Sequence, residues 1–204
     1  MTILDLVFIA SFLFTLVMAV RIAIAAIGRR RQTVVRASRV LGLFLALYAA
    51  ALLSVAIARP RRFYAPGERR CFDDWCVAAI GVRTAANACG PDNGGGRDWI
   101  ATVEVSSVAR RVRQRAADAG AELEDAQGRR YQPCAPAIGG KSMSDPLDPG
   151  ESFRVSLPFR LPTTATPAGL VMHHGEFPGV VIIGEDHTLF HTGALHRVAI
   201  EPQP

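Results

Sequence analysis

No charged residue occurs between Val40 and Ala58, a run of nineteen residues (VLGLFLALYAAALLSVAIA). A helix rises about 1.5 Å per residue, so this run is about long enough to cross the hydrocarbon layer of a membrane. The stretch Leu6–Ile27 has Arg21 as its single charge, and an arginine close to a helix end can extend its guanidinium to the headgroups. The sequence therefore predicts a transmembrane helical hairpin in residues 1–58, with spans at about residues 6–27 and 40–58.

Residues 59–204 lack a net charge, although the whole chain carries +5. The excess lies in residues 1–58, where six arginines are opposed by Asp5 alone. Arginines beside membrane spans mark the cytoplasmic side of the membrane, so this excess is explained without a nucleic-acid partner. We therefore expect a lipid bilayer as partner and no nucleic acid.

Five of the twelve residues in the predicted loop Gly28–Arg39 are arginines, which indicates a cytoplasmic loop and an outer N-terminus. Five more arginines lie in residues 59–70, so charge alone does not orient the second span. All four cysteines follow residue 70, and an even number of cysteines suits an oxidising compartment. We therefore expect a protein of the bacterial inner (cytoplasmic) membrane, with its N-terminus and its C-terminal domain on the extracytoplasmic side. Ala56–Ala58 also fits a signal-peptide cleavage site, which leaves cleavage of the second span open. We favour an uncleaved anchor, because the apolar run is longer than the hydrophobic region of a signal peptide and Pro60 follows the site closely.

Residues 59–70 are predicted to be a juxtamembrane linker, because Pro60, Pro66 and Gly67 discourage regular structure. Phe63 and Tyr64 are then expected at the membrane interface.

Residues 71–204 lack sustained helical periodicity, and their apolar residues alternate in short segments separated by turn residues. Residues 87–97 are rich in glycine and asparagine and are expected to form a long exposed loop. The pattern predicts a single all-β antiparallel sandwich, large enough to bury its own core. The predicted strands are Trp75–Val82, Trp99–Val108, Ala121–Asp125, Arg129–Gln132, Ser152–Leu161, Leu170–Met172, Val180–Ile183 and Leu195–Ile200.

The clearest alternation predicts which residues of one strand face the core. Pro158 in the same strand indicates an edge position or a bulge. The expected core residues are Phe153, Val155, Leu157, Phe159 and Leu161.

Four segments carry a resemblance to a known family: CFDDWC, VEVSSVARRVRQRAADAGAELEDAQGRRYQP, LDPGESFRVSLPFRLP and FPGVVIIGEDHTLFHTGALHRVAI. Through them, residues 71–200 resemble the membrane-anchored or secreted immunoglobulin-like domains of unknown function found in bacterial envelope proteins. The resemblance implies an extracytoplasmic immunoglobulin-like β-sandwich without known catalytic residues. It also implies that residues 110–124 cross between strands and that Asp125, Gly128 and Tyr131 belong to a hairpin. The insert around Cys89 departs from the family pattern.

The four cysteines allow three disulfide pairings. We favour Cys71–Cys76, closed by a turn in the residues between them, together with Cys89–Cys134, which would tie the glycine-rich insert to the loop after the hairpin. Both bonds are expected to stabilise the fold, since the spacing of Cys71 and Cys76 is not that of a C-x-x-C redox site.

All five histidines lie near the C-terminus, and His173, His174, His187 and His191 are the candidate metal ligands. Turns between them could bring two or three of their rings together. This group of histidines indicates an alternative function for the protein, that of a metal-binding sensor or a metal-dependent enzyme.

Arg111, Arg113 and Arg115 alternate along the chain. On a strand they would line one face and form a basic stripe able to bind an anionic polymer or a lipid headgroup.

No catalytic motif and no cofactor-binding motif occurs in the sequence, so we expect neither catalytic residues nor a cofactor. The expected function is that of a non-catalytic binding or structural module of the cell envelope. Its partner is expected to be an envelope protein or a polysaccharide, and the ligand and the oligomeric state stay open.

Overall fold

The computed structural model describes residues 3–72, 74–91, 95–116, 118–174, 181–183 and 193–201. The chain divides into two units. One unit contains Met1–Pro60 and Phe177–Thr192, and the other contains Arg61–Glu176 and Gly193–Pro204.

The first unit is built on two apolar helices, α1 (Ile3–Ile27) and α2 (Arg31–Ala58). Phe14 of α1 packs on Phe44 of α2 with ring centroids 4.6 Å apart. Few side chains of either helix are buried within the protein, in contrast to the core helices of soluble proteins. Length and composition fit a membrane anchor, and they also fit a signal sequence near the N-terminus.

The second helix begins well before Val40, so the predicted loop Gly28–Arg39 is largely helical. The helices are joined only by Gly28, Arg29 and Arg30. Arg29 adopts a positive φ of 52° there, and the N–H of Arg30 donates to the Ala25 carbonyl at 2.8 Å. Arginine is a good helix former, which explains why the basic segment continues the helix instead of forming a loop.

The second unit is a β-sandwich of two sheets. In the first sheet the strand order is β1 (Phe63–Tyr64), β9 (Leu195–Arg197), β8 (Pro167–His173), β5 (Gly120–Asp125) and β6 (Arg130–Tyr131). In the second it is β10 (Ala199–Ile200), β3 (Trp75–Thr84), β4 (Gly96–Ser107) and β7 (Ser152–Pro162), and β2 (Arg70–Phe72) pairs with β3. Most pairs are antiparallel, as predicted, but the pairs β1–β9 and β10–β3 are parallel.

The core lies between the two sheets, and β7 contributes to it as predicted. Val155, Leu157, Phe159 and Leu161 are buried, and Phe153 is half-buried. The free side of β7 is covered by an irregular segment, in which the N–H of Cys134 donates to the carbonyl of Pro158 at 3.0 Å. The edge position suits Pro158, which has no N–H to offer a neighbouring strand.

The predicted linker is only partly a linker. Phe63 and Tyr64 form β1 and pair with Leu195 and His196, so this part of the predicted linker is a strand. The N–H of Gly67 donates to the carbonyl of Ala79 at 2.7 Å. The open edge of β9 accounts for this difference, because it offers backbone groups to the incoming chain.

Two predicted strands near the C-terminus are wrong in part. Val181–Ile183 form a turn instead of a strand, and Val180 lies outside the described residues. The predicted strand Leu195–Ile200 is two strands, since the chain passes from one sheet to the other at Val198. A run of apolar residues indicates burial, but it does not specify which sheet edge is available.

Candidate functional site

Both disulfides of the structure follow the favoured pairing. Cys71 and Cys76 are directly opposed on β2 and β3, with Cα atoms 3.9 Å apart. Cys89 and Cys134 are bonded with Cα atoms 5.5 Å apart and join segments 45 residues apart in sequence.

A buried ion pair holds the loop that contains Cys89. Asp98 at the start of β4 accepts hydrogen bonds from Arg160 of β7 at 2.7 and 3.1 Å, and from the backbone N–H of Cys89 at 2.9 Å. Arg160 also donates to the carbonyl of Gly90 at 2.8 Å. The hydrogen bonds from Arg160 lower the pKa of Asp98 despite its burial, and the N–H of Cys89 adds to this effect.

Beside this ion pair lies an open depression of about 260 Å³, lined in part by Ala85, Asn87, Arg97, Asp98 and Thr163. Its one carboxylate is Asp98, which is already occupied by Arg160. The depression therefore offers a ligand no uncommitted acid among the residues that line it.

Asp125, Gly128 and Tyr131, the three residues matched to the family hairpin, form one hydrogen-bonded turn. Asp125 is almost fully buried. It accepts bonds from the backbone N–H groups of Gln127 and Arg129, both at 2.9 Å, and from the Tyr131 hydroxyl at 2.9 Å. Gly128 has φ +79°, a conformation that costs glycine little.

Hydrogen bonds outweigh burial in setting the pKa of Asp125. Burial by itself would raise the pKa of Asp125, but the hydrogen bonds from Arg129, Tyr131 and Gln127 outweigh this effect and lower it. The carboxyl is thus held as an ionised acceptor that closes the turn between β5 and β6.

A third buried acid links the start of the sandwich to its first sheet. Arg61 donates to both carboxylate oxygens of Glu124, at 2.5 and 2.7 Å, and to the carbonyl of Gly193 at 2.9 Å. Arg130 donates to the same Glu124 at 3.2 Å. Burial raises the pKa of Glu124, but Arg61 and then Arg130 more than reverse this, so it is lowered. Sequence analysis missed this site, because no sequence signal links Arg61 to Glu124.

The structure describes only two of the four candidate metal ligands. His173 lies opposite Gly120, where an added Cβ would come within 2.8 Å of its Nε2. The ring of His174 packs edge-on against Phe72 at 4.4 Å. His187 and His191 lie outside the described residues, and among the residues described no three His, Cys, Asp or Glu side chains are grouped to hold a metal ion.

His196, which was not a candidate ligand, is buried at the edge of the sandwich. Its ring stacks on Tyr64 with centroids 4.5 Å apart. The guanidinium of Arg70 lies 4.2 Å from the ring of Phe72 and 5.9 Å from that of Tyr64. Together, these rings and the guanidinium form one stack, and the stack holds β1 and β2 against the rest of the sandwich.

Arg111, Arg113 and Arg115 do not lie on a strand, so the predicted stripe is wrong in its geometry. They belong to the crossing from β4 to β5, which forms bends and includes a bridge from Gln114 to Leu147. The backbone must leave the ladder there, because it passes from one sheet to the other.

The arginines of this crossing are nevertheless exposed as a group. Arg110, Arg111, Arg113 and Arg115 are all exposed, as is Val112 between them. Arg113 makes a solvent-exposed contact of 3.4 Å with Asp148. Within the described ranges, the other three arginines have no ion pair.

Comparison with known proteins gives no family. No family model matches the chain, and no curated protein matches it.

Several solved structures share a distant likeness. A secreted protein of Mycobacterium tuberculosis, MPT63, is 14% identical with a TM-score of 0.43, over 58% of this chain and 93% of that one. An uncharacterized β-sandwich protein of Clostridium difficile is 12% identical with a TM-score of 0.39, over 57% and 89%. The yjhA protein of Bacillus subtilis is 12% identical with a TM-score of 0.38, over 67% and 99%. Since these three scores lie below 0.5, the function has to be derived from the residues of this chain.

Proposed function

We propose that this protein is a membrane-anchored component of the bacterial cell envelope, whose extracytoplasmic immunoglobulin-like sandwich binds an anionic envelope polymer without catalysing a reaction. The observation that carries the proposal is the cluster of exposed arginines in the crossing from β4 to β5, Arg110, Arg111, Arg113 and Arg115.

The state of the buried acids supports a non-catalytic role. Asp98, Glu124 and Asp125 are each hydrogen-bonded to arginine, and the pKa of each is lowered. A general acid at neutral pH needs a raised pKa instead. These carboxylates hold loops and strands together through their hydrogen bonds.

The order of the strands supports the immunoglobulin-like assignment. Strands β3, β4 and β7 are neighbours in one sheet, and β6, β5, β8 and β9 are neighbours in the other. This corresponds to the order A-B-E opposite C′-C-F-G in immunoglobulin domains.

The disulfides and the two apolar helices support the proposed location, a membrane anchor with an extracytoplasmic domain. Two disulfides suit an oxidising compartment. Two spans joined by a short basic turn would return the chain to the side on which it started, with Arg29, Arg30 and Arg31 on the cytoplasmic side.

The exposed crossing suits a polymer better than a small molecule. Guanidinium groups bind phosphate and carboxylate in a bidentate manner. Side chains that project into solvent from an irregular segment can contact successive anionic groups of an extended chain.

The test is binding of the full-length protein, held in zwitterionic lipid nanodiscs, to polyphosphate and to polygalacturonate. Replacing the four arginines of the crossing by glutamine should weaken binding roughly 10- to 30-fold, at about 0.5 kcal/mol for each exposed charge contact. The matched control replaces Arg69, Arg83, Arg97 and Arg154, which are also exposed. Binding should change little in this control, although the same number of charges is removed.

Three results would overturn the proposal. Equal weakening in both variants would mean that only net charge matters. Unchanged binding in the crossing variant, or binding of an acidic protein in place of either polymer, would move the ligand site or change its class.

A further inference from the structure

The turn between the two apolar helices combines a cavity with three consecutive arginines. The cavity measures about 230 Å³ and is lined by Ala26, Arg29, Arg30, Arg31, Val34 and Val35. Backbone hydrogen bonds fix the turn, since the N–H of Arg29 donates to the carbonyl of Ala26 at 3.0 Å and that of Arg30 to Ala25 at 2.8 Å. The three guanidinium groups therefore leave the backbone from one defined turn, and we call this place the hairpin cavity.

No acid of the two helices balances the charge of the hairpin cavity. No aspartate or glutamate occurs between Asp5 and Glu68. Arg29, Arg30 and Arg31 are exposed, and none of them forms a salt bridge within the part of the chain that the structure describes. Positive charges this close together repel one another unless an anion lies between them. The cavity is therefore suited to a negatively charged ligand.

The rest of the lining is apolar. Ala26, Val34 and Val35 stand beside the arginines, and Val34 is half-buried. An inorganic anion gains nothing from apolar contact, whereas a phospholipid joins a phosphate to acyl chains. Pockets that enclose a whole drug-sized ligand measure about 300–1,000 Å³, so this smaller cavity fits one end of a larger molecule.

The lengths of the helices place the hairpin cavity at the level of the lipid headgroups. Helices α1 and α2 have 25 and 28 residues, which is about 38 and 42 Å at about 1.5 Å per residue. Both exceed a hydrocarbon layer of about 30 Å, so the turn of a spanning hairpin lies among the headgroups. Ala26 belongs to the apolar run that ends at Ile27 and adjoins the hydrocarbon, while the guanidinium groups of the turn reach the phosphates.

We propose that the hairpin cavity binds the phosphate of an anionic phospholipid of the cytoplasmic leaflet. The three arginines of the turn donate to the phosphate oxygens, and the apolar residues of the lining contact the start of the acyl chains. A headgroup with a net negative charge is preferred, because the arginines repel the cationic group of a zwitterionic lipid. The inference rests on the membrane-anchored part of the proposed function.

Native mass spectrometry of the full-length protein in detergent tests this site. The protein is titrated with phosphatidylglycerol or with phosphatidylcholine of the same acyl chains, and the dissociation constants are compared. The wild-type protein should bind phosphatidylglycerol at least about tenfold more tightly. Combining Arg29→Gln, Arg30→Gln and Arg31→Gln should weaken phosphatidylglycerol binding roughly 30- to 100-fold.

The matched control combines Arg21→Gln, Arg36→Gln and Arg39→Gln in the same hairpin. These arginines are also exposed, but they do not line the cavity. The control removes the same number of charges and should weaken binding about threefold at most, because charges outside the site act through screening solvent.

Three outcomes would refute the site. Equal weakening in the two variants would leave net charge as the cause, and equal wild-type affinity for the two lipids would remove the preference for an anionic headgroup. Release of bound phosphatidylglycerol by excess glycerol 3-phosphate would show that the ligand is a free phosphate ester instead of a lipid.

Washing membranes that contain the wild-type protein with alkaline carbonate separates this inference from the anchor itself. The protein should stay in the membrane fraction. If it is released, the anchor is refuted and the lipid site falls with it. If it stays while the preference for phosphatidylglycerol is absent, the lipid site alone is refuted.

Discussion

The segments at the two ends of β4 are held in very different ways. Before the strand, the segment with Cys89 is bound by a disulfide, by the Asp98 carboxylate and by Arg160. After the strand, the crossing exposes four arginines, of which Arg113 makes one solvent-exposed ion contact. Buried contacts stabilise a fold, whereas exposed charges contribute little to it. The difference therefore separates a segment that serves stability from one that is available for binding.

The largest expected effect on stability concerns the segment that contains Cys89. Removing its disulfide by Cys89→Ser with Cys134→Ser should lower the free energy of unfolding by about 4 kcal/mol, because the bond closes a long loop in the unfolded chain. Thermal unfolding of the full-length protein in detergent, followed by the fluorescence of Trp75 and Trp99, measures this.

The matched control removes the other disulfide by Cys71→Ser with Cys76→Ser. The short ring restrains the unfolded chain less, so the loss should be only about 2 kcal/mol. A loss as large as that of the long-range pair would show that loop length is not the cause.

The second effect concerns the ion pair of the same segment. Asp98→Asn keeps the shape of the side chain but removes the negative charge that contacts the guanidinium of Arg160. We expect a loss of about 2–3 kcal/mol, since Arg160 keeps some access to water. Asp148→Asn is the control, because Asp148 contacts Arg113 in solvent. An equal loss in both variants would remove the distinction between the two ends of β4.

Acid should abolish this second effect. The pKa of Asp98 is lower in the folded protein than its ordinary value, so its contribution is complete above about pH 4–5, where the unfolded side chain is ionised. This stabilising contribution is lost as the pH falls through the pKa that Asp98 has in the folded protein. The difference in unfolding temperature between wild type and Asp98→Asn should therefore shrink steadily below about pH 4. A constant difference down to low pH would mean that the charge of Asp98 does not stabilise the fold.

The smallest effect is expected at the exposed crossing. Arg113→Gln breaks a contact between two side chains that are 62% and 69% exposed, and such contacts contribute little. The unfolding temperature should stay within the error of measurement. A clear decrease would show that the crossing is part of the stable framework, which would weaken its assignment as a binding surface.

Local patterns in the sequence predicted much of the fold. Alternation placed Val155, Phe159 and Leu161 in the core, because the two faces of a strand differ in exposure. Turn chemistry located the hairpin at Gly128, where a positive φ is required. Both signals lie within a few residues, so they can be read without knowing the rest of the fold.

Most features of the candidate site needed the folded chain. Arg61 and Glu124 are 63 residues apart, and nothing near either residue indicates the other. The prolines and glycine around Phe63 and Tyr64 indicate an irregular linker, but these two residues pair with the edge of β9. The alternation of Arg111, Arg113 and Arg115 resembled a strand, yet the change of sheet prevented one.

The sequence by itself determined two apolar helices, a β-rich domain with turns at defined places, and four cysteines in that domain. These follow from hydrophobicity, periodicity and glycine content, which act over short distances. Tertiary structure alone decided which sheet edge accepts each terminal strand and which arginine neutralises each buried acid. These depend on groups that meet only after the chain has folded, because desolvation and hydrogen bonding act between neighbours in space.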